Sequence, residues 1–145
     1  MSATSVCPIV VLMVEDNRAD VVLFREAAAA GGMALDRHVV TNGVEALRFL
    51  RREAPFDRAP RPDIIVLDLN LPLMNGQEVM VEVASDPSLN TIPVAVLTTS
   101  LTEMCVCELY PAGRCRYFSK TDDFSRLQEI VRQIAAFARP PQDPA

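Results

Sequence analysis

Five short apolar stretches recur along the chain, and each is followed by a segment with helical periodicity or by a gap long enough for a helix. The first, third and fourth are almost continuously apolar, as is typical of parallel strands that are covered on both faces. We predict strands at residues 9–14, 38–41, 64–67, 93–98 and 115–118. The alternation of strand and helix predicts an α/β fold.

The predicted helices fill the intervals between these strands. The first shows an apolar stripe at positions i, i+3, i+4, i+8 and i+11 from Ala19, and it ends at Gly31 and Gly32. Further helices are predicted after Asn42, near Gly76, from Thr102 to about Tyr110, and from about Asp123 to Ala138. Five β-α repeats predict a flavodoxin-like, doubly wound, five-stranded parallel sheet of order 2-1-3-4-5 with helices on both faces.

Length and charge narrow the possibilities further. The 145 residues fit one domain, which we predict at 8–138, with an N-terminal arm at 1–7 and a flexible tail at 139–145. A net charge of −5 argues against non-specific nucleic-acid binding. No apolar run approaches the roughly 18 residues that a membrane helix needs. The first residues lack the positive charge and cleavage site of a signal peptide, so a cytoplasmic, reducing location is expected.

The four cysteines show no metal-binding pattern. The paired CxxC spacing of a zinc site is absent from Cys7, Cys105, Cys107 and Cys115, and the single histidine, His38, is distant in sequence. A domain of this length holds a core without disulfide bonds. We therefore predict that the cysteines are buried or incidental thiols.

Polar residues occupy the positions where the predicted strands end. Glu15 and Asp16 follow the first strand, Asp68 follows the third, Thr98 ends the fourth, and Lys120 follows the fifth. Since the carboxyl ends of parallel strands meet at one edge, three carboxylates, a hydroxyl and an ammonium are expected to converge there. Clustered carboxylates repel one another unless a cation lies among them, and Mg²⁺ is the expected cofactor because it prefers oxygen ligands.

Most of these residues also have an ordinary structural explanation. Asp16 fits an N-terminal helix cap, Glu15 a solvated loop acid, and Lys120 a surface lysine. Asp68 is harder to explain in this way, because it ends an apolar run where an unpaired charge is costly. The coincidence of all four at one edge favours a functional acidic site.

Four motifs lie at the strand ends. They are Val14-Glu15-Asp16-Asn17, Leu67-Asp68-Leu69-Asn70-Leu71-Pro72 with Gly76, Thr98-Thr99-Ser100, and Tyr117-Phe118-Ser119-Lys120. With them the chain resembles a response-regulator receiver domain over about residues 8–138. The spacings of 30 residues from Asp68 to Thr98 and 22 from Thr98 to Lys120 are usual for that family. With additional residues at 51–62, the chain resembles the single-domain subgroup that is often paired with phytochrome-type histidine kinases.

The resemblance implies that Asp68 is the nucleophile, which takes a phosphoryl group from a kinase phosphohistidine. Glu15 and Asp16 would hold Mg²⁺, directly or through water, together with Asp68 and the backbone carbonyl of Asn70. Positioning and charge stabilisation are most of what a protein contributes to phosphoryl transfer. The resemblance implies no enzymatic activity beyond self-phosphorylation and dephosphorylation at Asp68.

Two further roles are implied around the fourth and fifth strands. Lys120 would pair with one phosphoryl oxygen, and the hydroxyl of Thr98 would donate to another. As Thr98 moves, the ring of Tyr117 would fill the space that it leaves and so couple the site to the surface. The alternative for Tyr117 is an ordinary aromatic residue of an edge strand.

A sensor histidine kinase is the partner that the resemblance implies, with a phytochrome as one candidate. A downstream phosphotransfer protein and a homodimer are further candidates, and neither a nucleic acid nor a membrane is expected as a partner. One alternative is a pseudo-receiver, a binding module that acts without phosphorylation. Another is a phosphohydrolase of the haloacid dehalogenase type, which needs an acid where Asn70 stands.

The chain departs from the family pattern at two places near the fifth strand. Thr121 follows Lys120 where the family usually has proline with a cis peptide bond. A cis bond before threonine costs roughly 2.5 to 4 kcal/mol, so we predict a trans bond and a mobile loop. We also predict that Lys120 turns away from Asp68 when no phosphate is bound. The second departure is the run at 111–116, which makes the start of the fifth strand unusual.

Overall fold

A five-stranded parallel sheet forms the centre of the fold in the computed structural model, which describes residues 8–99, 107–111 and 113–138. The strands are β1 (Ile9–Val14), β2 (Leu35–Val40), β3 (Ile64–Leu67), β4 (Val94–Thr98) and β5 (Cys115–Ser119). Every pair of neighbours is parallel, and the order β2-β1-β3-β4-β5 confirms the predicted topology. The predicted arm at 1–7 and tail at 139–145 lie outside the described residues.

Within the described ranges, four helices cover the two faces of the sheet. They are α1 (Arg18–Ala30), α2 (Gly43–Arg51), α3 (Gly76–Ala84) and α4 (Phe124–Ala138). Alternate residues of a strand point to opposite faces, so Val11 of β1 packs with α1 and α4, whereas Leu12 packs with α2 and α3. Two hydrophobic cores result, one on each side of the sheet. None of the four helices is long and apolar enough to cross a membrane.

Asparagine residues cap three helices where the chain leaves the carboxyl edge of the sheet. The side chain of Asn17 accepts two backbone N–H groups of the first turn of α1, and that of Asn42 accepts one from the first turn of α2. Asn75 forms a capping box with Glu78 at the start of α3. These bonds satisfy N–H groups that have no partner within the helix. The caps therefore fix where each helix begins and how the preceding loop approaches it.

The observed β2 begins at Leu35, three residues before the predicted start. This strand lies at the edge of the sheet, and its first half contains Asp36 and Arg37. Charged residues are common on edge strands, where they discourage pairing with another chain. The apolar pattern therefore indicates only the second half of the strand.

A short 3₁₀ turn at residues 107–109 is the described part of the region where we predict the fourth helix. Cys107 of this turn forms a disulfide bond with Cys115, the first residue of β5, and their Cα atoms are 5.2 Å apart. The prediction of thiols is therefore wrong for these two cysteines. The turn lies against the start of β5 and brings them together, which the sequence spacing alone does not reveal. Cys7 and Cys105 lie outside the described residues.

Candidate functional site

Three carboxylates lie together at the carboxyl edge of the sheet. Glu15 and Asp16 follow β1, Asp68 follows β3, and one oxygen atom of each lies within 4.8 Å of the others. Glu15 and Asp68 are 2% and 6% exposed, whereas Asp16 is exposed to solvent. Because Val14 of β1 pairs with Leu67 of β3, the residues that follow these strands come close together. The structure thus forms the acidic cluster that the sequence predicts.

Lys120 lies at the centre of this cluster. Its Nζ is 2.7 Å from Oε2 of Glu15, 2.8 Å from Oδ2 of Asp20 and 3.1 Å from Oδ2 of Asp68. The side chain of Lys120 is only 15% exposed, so solvent ions screen these pairs weakly. One ammonium group therefore compensates part of the charge of three carboxylates.

The loop after β5 agrees with one prediction and contradicts another. The cis peptide bond among the described residues is Ala54–Pro55, so the Lys120–Thr121 bond is trans, as predicted. The prediction that Lys120 turns away from Asp68 is wrong, because its Nζ lies 3.1 Å from Oδ2 of Asp68. The buried carboxylates attract the ammonium, and the backbone N–H of Lys120 donates to the carbonyl of Thr98 at 3.0 Å. Both interactions hold Lys120 over the site.

Burial and neighbouring charges shift the pKa values of Glu15 and Lys120. Burial raises the pKa of Glu15 to about 7, because the carboxylate loses its hydration; the hydrogen bond from Lys120 opposes this rise and the charge of Asp68 adds to it. Burial acts to lower the pKa of Lys120, but hydrogen bonds to Asp20 and Glu15 outweigh it and hold that pKa above its usual value. Lys120 is therefore a permanent cation, whereas the negative charge of Glu15 is the costly one.

The backbone fixes Asp68 on both sides. Its N–H donates to the carbonyl of Val14 at 3.1 Å, and its Oδ1 accepts the backbone N–H of Asn70 at 3.1 Å. Gly76 lies behind it, where a Cβ atom would be 2.6 Å from the carbonyl oxygen of Asp68. Only glycine fits at this position without a displacement of the backbone. The carboxylate of Asp68 is thus presented to the site by a rigid turn.

Thr98 and Tyr117 lie on neighbouring strands but at different levels. Thr98 ends β4, is 0% exposed and pairs with Ser119 of β5. Tyr117 pairs with Val96, and its hydroxyl oxygen accepts the backbone N–H of Cys107 at 2.8 Å. The tyrosine is therefore bonded to the turn before β5 and not to the acidic cluster.

The site has a buried aspartate after the third strand, two acids after the first and a lysine after the fifth. A family comparison agrees with this arrangement. The sequence profile of the response regulator receiver domain matches residues 11–132. The chain belongs to this family. It is a receiver with a phosphoacceptor role in two-component signalling, as the resemblance implies, and the pseudo-receiver alternative is not favoured.

Two response regulators, Rcp1 and RcpA, are similar to this receiver. Rcp1 of Synechocystis sp. is 36% identical over 137 residues, which cover 94% of this chain and 93% of Rcp1. The crystal structure of the phosphorylated cyanobacterial phytochrome response regulator RcpA is 38% identical, with a TM-score of 0.82, and covers 96% of this chain and 100% of its own. The Mn²⁺-bound form of Rcp1 has a TM-score of 0.80 at 34% identity and covers 95% and 100%. The similarity thus extends over nearly the whole of each chain.

Asp20 is the residue of this receiver site that sequence reasoning missed. It lies in the first turn of α1, and its Oδ2 accepts a hydrogen bond from Nζ of Lys120. Acidic residues are common in first turns because the helix dipole favours them, so Asp20 gives no distinct signal in the sequence. Its one cue is that α1 starts at the acidic edge. The explanation of Asp16 as a helix cap is wrong, because Asn17 caps α1 and Asp16 joins the cluster.

Proposed function

We propose that Asp68 accepts a phosphoryl group from the phosphohistidine of a sensor histidine kinase, with Asp68, Thr98 and Lys120 as the catalytic residues. The position of Asp68 supports this assignment. Its Oδ1 is held by the N–H of Asn70, and its Oδ2 lies 3.1 Å from Nζ of Lys120. A carboxylate oxygen attacks phosphorus, the P–N bond breaks, and the imidazole leaves with the electron pair. The product is an acylphosphate on Asp68.

The acidic cluster fits Mg²⁺. The oxygen atoms of Glu15, Asp16 and Asp68, within 4.8 Å of one another, are the hard ligands that this cation prefers. We infer that these three residues and the backbone carbonyl of Asn70 hold it. When bound, the cation supplies positive charge to the phosphoryl oxygens. The Mn²⁺-bound form of the similar protein Rcp1 supports a divalent cation here.

Lys120 changes its partner during the transfer. Its ammonium is shared by three carboxylates in this structure. With a cation held by Glu15 and Asp68, their repulsion would no longer require the ammonium, and Nζ of Lys120 would be available to a phosphoryl oxygen. The hydroxyl of Thr98 donates to a second oxygen, and Tyr117 follows Thr98 as the switch residue. Donors and charges in fixed positions then stabilise a transition state whose charge is spread over the phosphoryl oxygens.

We assign the partner kinase to the phytochrome class, because RcpA, a phytochrome response regulator, is 38% identical. The receiver has no enzymatic activity other than phosphorylation and dephosphorylation of its own Asp68. Its output passes through protein contacts, either to a downstream phosphotransfer protein or to a second copy of the receiver. The net charge of −5 argues against a nucleic-acid partner, and we expect a cytoplasmic location and no membrane partner.

Labelling with acetyl phosphate tests the assignment of Asp68. The wild-type protein should form an acylphosphate with Mg²⁺ and none with EDTA, as measured on a phosphate-affinity gel. Asp68→Asn should form none and keep its circular-dichroism spectrum, because the amide has nearly the shape of the carboxylate but does not attack phosphorus. Asp57→Asn, a change of an exposed aspartate between α2 and β3, is the matched control and should be labelled normally. Labelling of Asp68→Asn at the wild-type rate contradicts the assignment, and an unlabelled wild-type protein favours the pseudo-receiver.

A further inference from the structure

Cys107 is attached to β5 at two points. Its Sγ is bonded to Cys115, and its backbone N–H donates to the hydroxyl of Tyr117 at 2.8 Å. Cys115 and Tyr117 are two residues apart on the strand, so both side chains point to the same face. Both also pack against the same hydrophobic core. The disulfide bond and Tyr117, the switch residue of the proposed function, therefore both hold the turn at residues 107–109.

We propose that Cys107 and Cys115 form a redox-sensitive modification site, whose disulfide bond holds Tyr117 in its present position and so opposes switching by phosphorylation. This inference rests on the proposed function, in which Tyr117 moves after Thr98. To move toward Thr98, the tyrosine has to give up its bond to the N–H of Cys107. In the disulfide form that donor stays beside β5, whereas in the dithiol form the turn is released.

The position of the disulfide bond suits a reversible switch better than a structural staple. It closes a loop between residues only 8 apart in sequence, so it contributes less to stability than the bond of a long loop. The domain has two hydrophobic cores that do not depend on it. Both cysteines are half-buried, so a small thiol or disulfide reaches them from the solvent. Reduction should therefore leave the domain folded.

The chemistry needs a disulfide oxidant, for which oxidised glutathione is the probe. The thiolate of one cysteine attacks a sulfur of glutathione disulfide, and one glutathione leaves as a thiol. The thiolate of the second cysteine then attacks the mixed disulfide and releases the other glutathione. The two cysteines lose two protons and two electrons in total, and the oxidant gains them. A dithiol such as dithiothreitol reverses both steps.

Coupling between the two modifications is reciprocal. If the disulfide bond favours the unswitched state, phosphorylation becomes less favourable in the oxidised protein. By the same factor, phosphorylation makes the disulfide bond easier to reduce. The inference therefore predicts an effect in each direction from a single structural contact, the one between Tyr117 and Cys107.

The test uses the full chain with Cys7→Ser and Cys105→Ser, which leaves only Cys107 and Cys115. Glutathione disulfide should produce a protein lighter by two hydrogen atoms, and dithiothreitol should restore the mass. With acetyl phosphate and Mg²⁺, the ratio of phosphorylated to unphosphorylated protein at steady state should be at least about fivefold lower in the oxidised form than in the reduced form. A further Cys107→Ser change in this background should give the ratio of the reduced form whatever the redox state.

Amide hydrogen exchange at Cys107 is a second readout that does not depend on phosphorylation. Exchange should be slower in the oxidised form, where the hydroxyl of Tyr117 accepts this N–H. Equal labelling of both redox forms where both are labelled, equal exchange, or failure of the disulfide bond to form would overturn the inference. If neither form is labelled, the proposed function fails, and the exchange measurement still decides whether the disulfide bond holds Tyr117.

Discussion

Bonds between separate segments of the chain hold both the acidic cluster and the start of β5, but these bonds differ in kind. At the cluster, Nζ of Lys120 contacts Glu15, Asp20 and Asp68 through ion pairs of 2.7 to 3.1 Å. At the start of β5, Cys107 is held by a disulfide bond and one hydrogen bond. An ion pair exchanges its partner when another cation arrives, whereas a covalent bond persists until a reductant breaks it. The first region is therefore suited to rapid exchange and the second to holding a position.

The charge balance explains why the acidic cluster is open to exchange. The carboxylates of Glu15, Asp20 and Asp68 share the ammonium of Lys120, and Asp16 lies beside Glu15 and Asp68, so negative charge exceeds positive charge among the described residues of the cluster. Two of these carboxylates are buried, and burial without full pairing is costly. The divalent cation of the proposed function would relieve this cost more completely than Lys120 does. At β5, by contrast, the contact between Tyr117 and Cys107 is a hydrogen bond between neutral groups.

Removal of the Lys120 ammonium should have the largest effect, and that effect should be confined to the acidic cluster. Lys120→Met leaves Glu15 and Asp68 buried without their cation, and it should lower the free energy of unfolding by about 3 kcal/mol. It should also abolish labelling by acetyl phosphate. Urea unfolding without metal measures the loss, and addition of Mg²⁺ should recover part of it because the cation pairs with the same carboxylates.

A matched control for this change is Arg132→Met. It removes a cation that is 59% exposed and paired with Glu129 on the surface of α4, and it should alter the free energy of unfolding by less than about 0.5 kcal/mol. If Lys120→Met unfolds at the same urea concentration as the wild type, the ion pairs of the cluster do not stabilise the fold. A loss that Mg²⁺ fails to reduce would show that Lys120 and the cation do not share carboxylates.

The same contrast explains what sequence reasoning predicts and what it misses. The strand order and the meeting of Glu15, Asp16 and Asp68 follow from local apolar patterns and from the geometry of parallel strands. These need no knowledge of side-chain conformation. The position of Lys120 depends on the balance of charges in the folded site, and the expectation based on its backbone alone is wrong.

The disulfide bond and Asp20 are missed for related reasons. Cys107 meets Cys115 because the turn at 107–109 lies against β5, and no short-range pattern predicts how that connection folds. Asp20 resembles any acid in a first helical turn until the contact with Lys120 is seen. Sequence periodicity thus predicts the strand ends that surround the site, whereas the contacts between its side chains are known only from the folded structure.

Gly76 provides a smaller, steric way to disturb the acidic cluster without a change in charge. In Gly76→Ala the new Cβ would lie 2.6 Å from the carbonyl oxygen of Asp68, so the turn has to shift, at a cost of about 1 to 3 kcal/mol. Labelling by acetyl phosphate should slow because the carboxylate of Asp68 moves with its backbone. Gly31→Ala is the matched control, since its nearest contact would be an ordinary 3.6 Å. Equal labelling rates for both variants would show that the turn tolerates the extra atom.

Tyr117→Phe should have the smallest effect, and that effect should be confined to the start of β5. It removes the acceptor of the Cys107 N–H at 2.8 Å and should lower the free energy of unfolding by about 1 kcal/mol. Tyr110→Phe is the control, because its hydroxyl makes only a 3.5 Å contact with the carbonyl of Leu89 and should matter less. Without phosphate the two regions share no bond through Tyr117, so Mg²⁺ should stabilise Tyr117→Phe and the wild type by equal amounts in thermal unfolding. A weaker response to Mg²⁺ in Tyr117→Phe would mean that the acidic cluster and β5 are coupled before phosphorylation, and the separation between them would be wrong.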